Sequence, residues 1–178
     1  TYFIKTLEFS KTSAFVSMTL ASLVALILIL PLAALSDRIG RKPMLIGASV
    51  TFAVLGYPLF LLLNSGSLTA AVIAHCCLAA IESVYVSAAV SAGVELFATT
   101  VRYSGFSIGY NICVAGFGGT TPYVVTWLTA ETDNPVAPAF YLIVAAVVSL
   151  AAVLTMRETA ARPLPQTTDQ PVPAPLGR

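Results

Sequence analysis

Long apolar stretches separated by short polar loops dominate the sequence. A helix needs about 20 mainly apolar residues to cross a hydrocarbon core about 30 Å thick. Five stretches meet this requirement, at residues 14–35, 44–63, 68–93, 104–129 and 136–156. Residues 1–13 have the pattern of the end of an earlier span followed by its exit loop. The pattern therefore predicts five membrane-spanning helices and a part of a sixth.

Glycine and proline interrupt the fourth of these stretches. Gly116, Gly118 and Gly119 are followed by Pro122, and this combination weakens a helix in mid-membrane. Such a break is tolerated where it is buried in protein or lines a cavity. Asn111 and the backbone of residues 118–121 are therefore candidate cavity-lining groups, with a simple kink as the equal alternative. Tyr123, Trp127 and Tyr141, near the outer ends of the last two spans, are interpreted as an aromatic belt.

Two ionisable side chains other than Tyr and Cys lie inside the apolar stretches, His75 and Glu82. Seven residues of helix place them on one face, about 10 Å apart along the axis. An acid within a membrane is costly and is a functional candidate by default. Glu82, near the middle of its span, could carry a coupling proton or meet a substrate cation, and the alternative is a hydrogen-bonded structural glutamate. For His75 we favour a structural role.

The composition agrees with a membrane protein. The chain is 57% hydrophobic and 10% charged, against about 25% charged in a soluble domain. Its net charge of +1 gives no broad field for binding nucleic acid. Cys76, Cys77 and Cys113 all lie within apolar stretches, so the spacing predicts neither a disulfide framework nor a metal site, and no cofactor is expected.

Positive charges collect in alternate loops, and this predicts an orientation. Cytoplasmic loops of membrane proteins retain Lys and Arg. One side carries seven of them and the other side only Lys5 and Lys11. We therefore expect a multi-pass protein of the plasma (inner) membrane, with loop 36–43 and the carboxy-terminal tail in the cytoplasm. The seven are Arg38, Arg41, Lys42, Arg102, Arg157, Arg162 and Arg178.

The tail has a different composition from the spans. Five prolines with polar residues between them follow Arg162. Such a segment cannot bury enough apolar surface to fold. Residues 158–178 are thus predicted to be a disordered, Pro-rich cytoplasmic tail.

The most distinctive motif is the loop Leu35-Ser36-Asp37-Arg38-Ile39-Gly40-Arg41-Lys42-Pro43. An acid, a glycine and three cations within seven residues can bridge helix ends, because acids are favoured near amino termini and cations near carboxy termini. A positive-inside anchor is the simpler interpretation. The loop resembles the signature loop of the major facilitator superfamily, with Ala33 where that family usually has glycine.

Further stretches are similar to the metabolite:proton symporter family within that superfamily. They are Glu95-Leu96-Phe97 with Val101-Arg102-Tyr103-Ser104-Gly105, Gly109-Tyr110-Asn111 with Phe117-Gly118-Gly119-Thr120-Thr121-Pro122, and Pro138-Ala139-Phe140-Tyr141-Leu142 with Arg157-Glu158-Thr159-Ala160. Ala98 departs from the usual proline. The closing stretch looks most like the proline/betaine branch.

The resemblance implies an all-α membrane protein, the carboxy-terminal six-helix half of a major facilitator fold. Residues 1–13 would be the end of helix 7 and an external loop, and residues 14–157 would be helices 8–12. It implies proton-coupled symport of a small polar solute, best matched by a proline/betaine-type zwitterion, in a lipid bilayer and together with a missing amino-terminal six-helix half. Dicarboxylate, citrate or shikimate transport, and a truncated remnant that transports nothing, are the alternatives.

The same resemblance implies a conformational latch at the cytoplasmic helix ends. Its members would be Asp37, Arg38, Gly40, Arg41, Glu95, Arg102 and Glu158.

Two enzymatic interpretations fail at the sequence level. Ser49 and His75 superficially resemble an intramembrane serine protease dyad, but Ser49 lies about 8 Å from one membrane face and His75 about 10 Å from the other. Nucleotide-driven transport has no support, because no Gly-rich phosphate loop ending in Gly-Lys-Ser/Thr is present in the sequence. We therefore expect a protein that is not an enzyme.

Overall fold

The computed structural model describes residues 2–7 and 9–160, so the predicted tail beyond residue 160 lies outside the described residues. Within these ranges the chain is α-helical and contains no strand. The elements in chain order are α1 (Tyr2–Lys5), α2 (Lys11–Ile39), α3 (Arg41–Leu63), α4 (Leu68–Glu95), α5 (Arg102–Cys113), a π-helix (Val114–Gly118), α6 (Gly119–Thr132) and α7 (Ala137–Thr155).

Four of these helices, α2, α3, α4 and α7, are long and apolar enough to cross a membrane. Helices α2, α3 and α4 extend beyond their apolar stretches at one or both ends because polar residues can cap and continue a helix, whereas α7 is one residue shorter than its stretch at each end. At the start of α2, for example, the Ser10 hydroxyl accepts a hydrogen bond from the Ser13 N–H at 3.1 Å, so the helix begins at Lys11.

The fourth apolar stretch is also helical, but it is divided by the five-residue π-helix. Pro122 has no N–H to offer the carbonyl four residues earlier, and the preceding glycines give the backbone little helical preference. The wider turn lies where the glycines and the proline were expected to weaken the helix.

Helix α4 is the centre of the bundle. It packs along α2 on one side and α3 on the other, while α7 packs against α3 and contacts α6. Small residues allow the helices to approach closely. The buried residues of α4 are Ala71, Ala74, Ala79, Ser83, Ser87, Ala88 and Ala92.

Two apolar clusters hold the ends of the bundle. Near the ends of α2, α4 and α7 and the start of α3, here called the charged end, Met44 and Leu45 pack with Ala88, Ala92 and Val153. At the opposite end Leu63 packs with Ala71 and Ala74, and Phe3 of α1 covers them together with residues 7 and 9. Residues 107–120, in contrast, are exposed throughout.

Candidate functional site

A single glycine joins α2 to α3 at the charged end. Gly40 has φ +115° and ψ 153°, a conformation that essentially only glycine adopts. Its N–H donates to the Ser36 carbonyl at 3.0 Å. A Cβ here would lie 2.8 Å from Oε2 of Glu158, so both the backbone and the neighbouring side chain require glycine. As a result α3 starts without a side-chain cap from its own N-cap residue.

Glu158 supplies that cap from the far end of the chain. Its carboxylate accepts hydrogen bonds from the N–H groups of Arg41 at 2.9 Å and Lys42 at 3.0 Å, the first two residues of α3. It also accepts from the N–H groups of Thr159 and Ala160, each at 3.0 Å. An anionic acceptor satisfies free N–H groups at a helix start and meets the positive end of the helix dipole.

These hydrogen bonds act on the acidity of Glu158. Partial burial of the carboxyl by itself raises the pKa of Glu158. The four N–H donors favour the ionised form and outweigh the burial, so the pKa lies below its ordinary value. The side chain is therefore an anionic cap at neutral pH.

Lys42 makes the reverse connection. Its Nζ donates to the carbonyls of Leu154 and Met156, both at 2.8 Å, where α7 ends. Carbonyl groups at a helix end lack partners within the helix, and a cation there meets the negative end of the dipole. Glu158 and Lys42 together form what we call the reciprocal clasp between the start of α3 and the end of α7.

Arg41 links three helices beside the clasp. Its side chain is 8% exposed and forms ion pairs with Asp37 of α2, at 2.5 Å, and Glu95 of α4, at 3.0 Å. The Asp37 side chain is 64% exposed and the Glu95 side chain 21%. Solvent weakens an exposed ion pair. The contact between Arg41 and Glu95 is therefore the stronger of the two.

Two predicted members of the latch lie outside this cluster. Nε of Arg102 donates to the Phe97 carbonyl at 3.3 Å, within the connection from α4 to α5, and Arg38 is exposed. Neither arginine forms an ion pair with any residue in the described part of the chain. The structure thus brings together Asp37, Gly40, Arg41, Glu95 and Glu158.

A cavity of about 860 Å³ lies between the helices, farther from the charged end. Residues of α1 to α4, α6 and α7 line it, and most are apolar or aromatic. Among the described residues Glu82 is the one acid in the lining, and His75 also lines the cavity, seven residues earlier on α4. The face predicted from their spacing is therefore the face that α4 turns to this cavity.

His75 has partners of its own. Its Nδ1 lies 2.9 Å from the hydroxyl of Ser17, a fully buried residue of α2, and its ring centroid lies 5.3 Å from that of Phe3. Ser49 lies close to Ser149 of α7, with 3.4 Å between the hydroxyl oxygens, and it does not pair with His75 in the described structure. The contacts tie α4 to α1 and α2 and form no Ser49–His75 dyad.

Two polar groups of the lining, Tyr141 and Tyr85, were not predicted from the sequence, whereas Thr121 lies in the segment expected to line a cavity. Tyr141, which we interpreted as part of an aromatic belt, lines the cavity with its hydroxyl 3.4 Å from that of Thr121. Tyr85 also lines it. A signal for Tyr85 was present, because it follows Glu82 by three residues and so lies on the same helix face.

Asn111 lies outside this cavity. Its side-chain amide donates to the Ser107 carbonyl, one turn earlier in α5, at 2.8 Å, and the residue is exposed. A metal site is also not evident: within residues 2–7 and 9–160 no group of three or more His, Cys, Asp or Glu side chains could hold an ion.

Known proteins with similar sequences are solute transporters. The chain is 38% identical to the ectoine/proline transporter ProP of Corynebacterium glutamicum over 149 residues, which cover 83% of this chain and 30% of that protein. It is 39% identical over 134 residues to the proline/betaine transporter of Escherichia coli, covering 75% of the chain and 27% of the relative. The glycine betaine/proline/ectoine/pipecolic acid transporter OusA of Dickeya dadantii is also 39% identical, over 75% of the chain and 26% of its own length.

The chain therefore spans less than a third of the length of these relatives. No solved structure matches it significantly. The family model of the Major Facilitator Superfamily matches residues 1–178. On this match, and on the four long apolar helices, the chain belongs to the major facilitator superfamily.

Proposed function

We propose that the chain is the carboxy-terminal six-helix half of a proton-coupled symporter for proline/betaine-type zwitterions. The observation that carries the proposal is the position of Glu82, the single acid that the described part of the chain contributes to a mainly apolar and aromatic cavity lining. Solute sites have this character, with a few polar groups that fix orientation. A carboxylate there attracts the cationic nitrogen of a zwitterion, because charges interact strongly away from bulk water.

The relatives support the class of solute. Proteins whose names specify proline, betaine, ectoine and pipecolic acid are similar to this chain over three quarters of it or more. All four compounds combine a cationic nitrogen-containing group with one carboxylate group. In this proposal the amino-terminal half, which this chain does not contain, provides the opposite wall of the solute path.

The test is uptake of labelled proline into proteoliposomes that contain the transporter with both halves. Uptake is measured with and without an inward proton gradient, in competition with betaine, 2-oxoglutarate, citrate and shikimate. We expect the gradient to drive uptake and betaine alone to compete. Competition by the carboxylates alone would favour the dicarboxylate, citrate or shikimate carriers, and absence of all uptake would favour a remnant.

Glu82 has one of two roles in this proposal, and Glu82→Gln distinguishes them. If Glu82 carries the coupling proton, the variant loses accumulation driven by the gradient but still exchanges internal for external solute. If Glu82 meets the solute cation, the KM for solute rises in both assays. A variant that matches the wild type in both assays would remove Glu82 from the mechanism.

We also propose that the charged end faces the cytoplasm of a plasma (inner) membrane. The ion pairs of Arg41 with Asp37 and Glu95, together with the reciprocal clasp, would then hold the cytoplasmic helix ends in one conformation and release them in another. Support comes from the concentration of cations at this end and from the partly buried Arg41–Glu95 pair.

A further inference from the structure

Three hydroxyl groups from three helices form a chain beside the cavity. The Tyr85 hydroxyl of α4 lies 2.7 Å from Oγ of Ser149 in α7, and this atom lies 3.4 Å from Oγ of Ser49 in α3. Ser49 is 1% exposed. A buried hydroxyl is normally hydrogen-bonded within the protein, and Ser149 gives this one a partner from another helix.

Tyr85 stands at the boundary between the cavity and the core. It lines the cavity, one helical turn from Glu82. It also packs against the apolar cluster of the charged end, which includes Leu45 and Ala88. A tyrosine that is packed along its ring and hydrogen-bonded at its hydroxyl loses rotational freedom. The Tyr85 ring is therefore held in one orientation at the cavity wall.

We propose that Tyr85 contacts the solute in this cavity, and that Ser149, with Ser49 behind it, is a positioning residue that acts through Tyr85. The inference rests on the proposed function and names the solute chemistry within it. The solute carries its positive charge on an alkylated nitrogen. An aromatic ring attracts such a cation through its π electrons, and Glu82 on the same helix face supplies the opposite charge.

This arrangement predicts a preference between two solutes. Glycine betaine has a quaternary nitrogen with no N–H, so its cation is recognised by aromatic surface and charge alone. Proline has a secondary ammonium with N–H groups that hydrogen-bond to other acceptors. Loss of the Tyr85 ring therefore weakens transport of betaine more than transport of proline.

The experiment measures KM and maximal rate for betaine and for proline in proteoliposomes that contain the whole transporter. The variants are Tyr85→Leu, Tyr85→Phe, Ser149→Ala and the double variant Tyr85→Phe/Ser149→Ala. The matched control is Ser91→Ala, because Ser91 also lies on α4 but its hydroxyl donates to the Ser87 carbonyl of its own helix, at 3.4 Å. Protein content per liposome is measured for each variant.

Tyr85→Leu should raise the KM for betaine about tenfold and that for proline less. Tyr85→Phe and Ser149→Ala should each raise the betaine KM about threefold and leave the maximal rate near that of the wild type. The double variant should equal Tyr85→Phe, because Ser149 has nothing left to position. Ser91→Ala should match the wild type.

Two results would overturn the inference alone: variants of Tyr85 that match Ser91→Ala, or effects of Tyr85→Phe and Ser149→Ala that multiply in the double variant. Tyr85→Phe and Ser149→Ala each remove a single oxygen atom, so they decide the matter even if Tyr85→Leu does not assemble. A wild-type protein that transports neither betaine nor proline would overturn the proposed function and the inference together.

Discussion

Gly40 is a residue of the charged end at which the addition of a single Cβ atom would disturb both the backbone and a neighbouring side chain. Its positive φ lets α3 follow α2 with a single residue between them, and its missing Cβ leaves room for the carboxylate of Glu158. Because that carboxylate caps α3, a displacement at Gly40 also disturbs the reciprocal clasp.

Gly40→Ala should destabilise the fold by about 1–3 kcal/mol, since it combines backbone strain with a close contact to Glu158. The measurement is the midpoint of thermal unfolding in detergent. Gly47→Ala is the matched control, because a Cβ there meets no atom within 4 Å and the residue lies inside α3. Alanine in place of such a helical glycine should stabilise by about 0.5–1 kcal/mol. Equal effects of the two changes would contradict this account of Gly40.

Glu158 predicts a pH dependence with a definite sign. Its pKa is lower in the folded protein than its ordinary value, so the ionised carboxylate stabilises the fold at and above the ordinary pKa of about 4.3. This contribution is lost as the pH falls through the folded-state pKa. Glu158→Gln should therefore lower the unfolding midpoint at pH 7, and the gap to the wild type should narrow below about pH 4.3.

Thermal unfolding of both proteins between pH 7 and pH 3 provides the measurement. Glu131→Gln, which removes an exposed acid from α6, is the control for the loss of one carboxylate. A gap between wild type and Glu158→Gln that stays constant over the whole range would rule out Glu158 as an ionised cap.

Single residues differ in how far they could be predicted. The shared face of His75 and Glu82 follows from helical spacing alone. The link from Glu158 to Arg41 spans 117 residues and was expected only through the resemblance to a known family. The partners of His75 and Tyr85, on other helices, had no sequence signal, because hydroxyl groups at these spacings have many possible neighbours.

Among the elements, α4 and α5 meet through interlocking glycines and phenylalanines. A Cβ on Gly93 of α4 would lie 2.6 Å from the ring of Phe106 in α5, and a Cβ on Gly105 of α5 would lie 2.6 Å from the ring of Phe97. The contact places each ring directly over a glycine of the other segment. The close packing of the α4–α5 junction therefore requires glycine, which has no Cβ, at positions 93 and 105.

Gly93→Ala should destabilise the protein by about 1–3 kcal/mol through overpacking. The added methyl needs space that the Phe106 ring fills, so Gly93→Ala/Phe106→Leu should recover part of the loss. Chemical unfolding in mixed micelles gives the free energies. Gly109→Ala on α5 is the control, since a Cβ there meets nothing within 4 Å. Absence of any recovery in the double variant would show that the Phe106 contact is not the cause.

Hydrophobicity alone predicted which parts of the chain are helical, because a helix is the way for a spanning segment to satisfy its own backbone. It predicted helix ends less well. Helix α2 begins at Lys11, before the apolar stretch that starts at residue 14, because the polar residue Ser10 caps it. A hydrophobicity pattern gives no information about such a cap. The glycines and the proline marked the position of the break but not its geometry.

At the scale of the whole molecule, the three helices α3, α4 and α7 share a layered order. Arg41 and Glu95 lie at the charged end, Leu45 and Ala92 form the apolar layer, and the hydroxyl chain and the cavity follow. The ion pairs and the reciprocal clasp thus fix one end of a unit whose other end lines the cavity. The three helices are expected to move as one body.

Loss of the ion pairs should shift the balance between the two access states of the transporter. Glu95→Gln should raise labelling of a reporter cysteine near Arg38 more than Asp37→Asn does, because the Glu95 side chain is the less exposed partner of Arg41. Thiol accessibility in membrane vesicles measures this shift. An accessibility pattern that neither change alters would exclude the latch.

The arrangement of helices was the part least open to prediction. Hydropathy is alike for all spans, so it does not specify which helices are neighbours. Small residues such as Ser83 and Ser87 let neighbouring helices approach α4, but its central place depends on contacts between distant parts of the chain. The cavity, which several helices line, follows from that arrangement and from no single motif.

The π-helix at Val114–Gly118 has a consequence for the cavity wall. A π-helical turn accommodates one residue more than an α-helical turn. Each residue after it therefore lies on the helix face where the preceding residue would lie in a continuous α-helix. Conversion of this turn to α-helix would rotate α6 by about 100° and advance it by about 1.5 Å. Thr120 and Val124 would then replace Thr121 and Val125 at the cavity. A change in the winding of this one turn would therefore exchange the residues that α6 presents to the cavity and remove the contact between Thr121 and Tyr141 of α7.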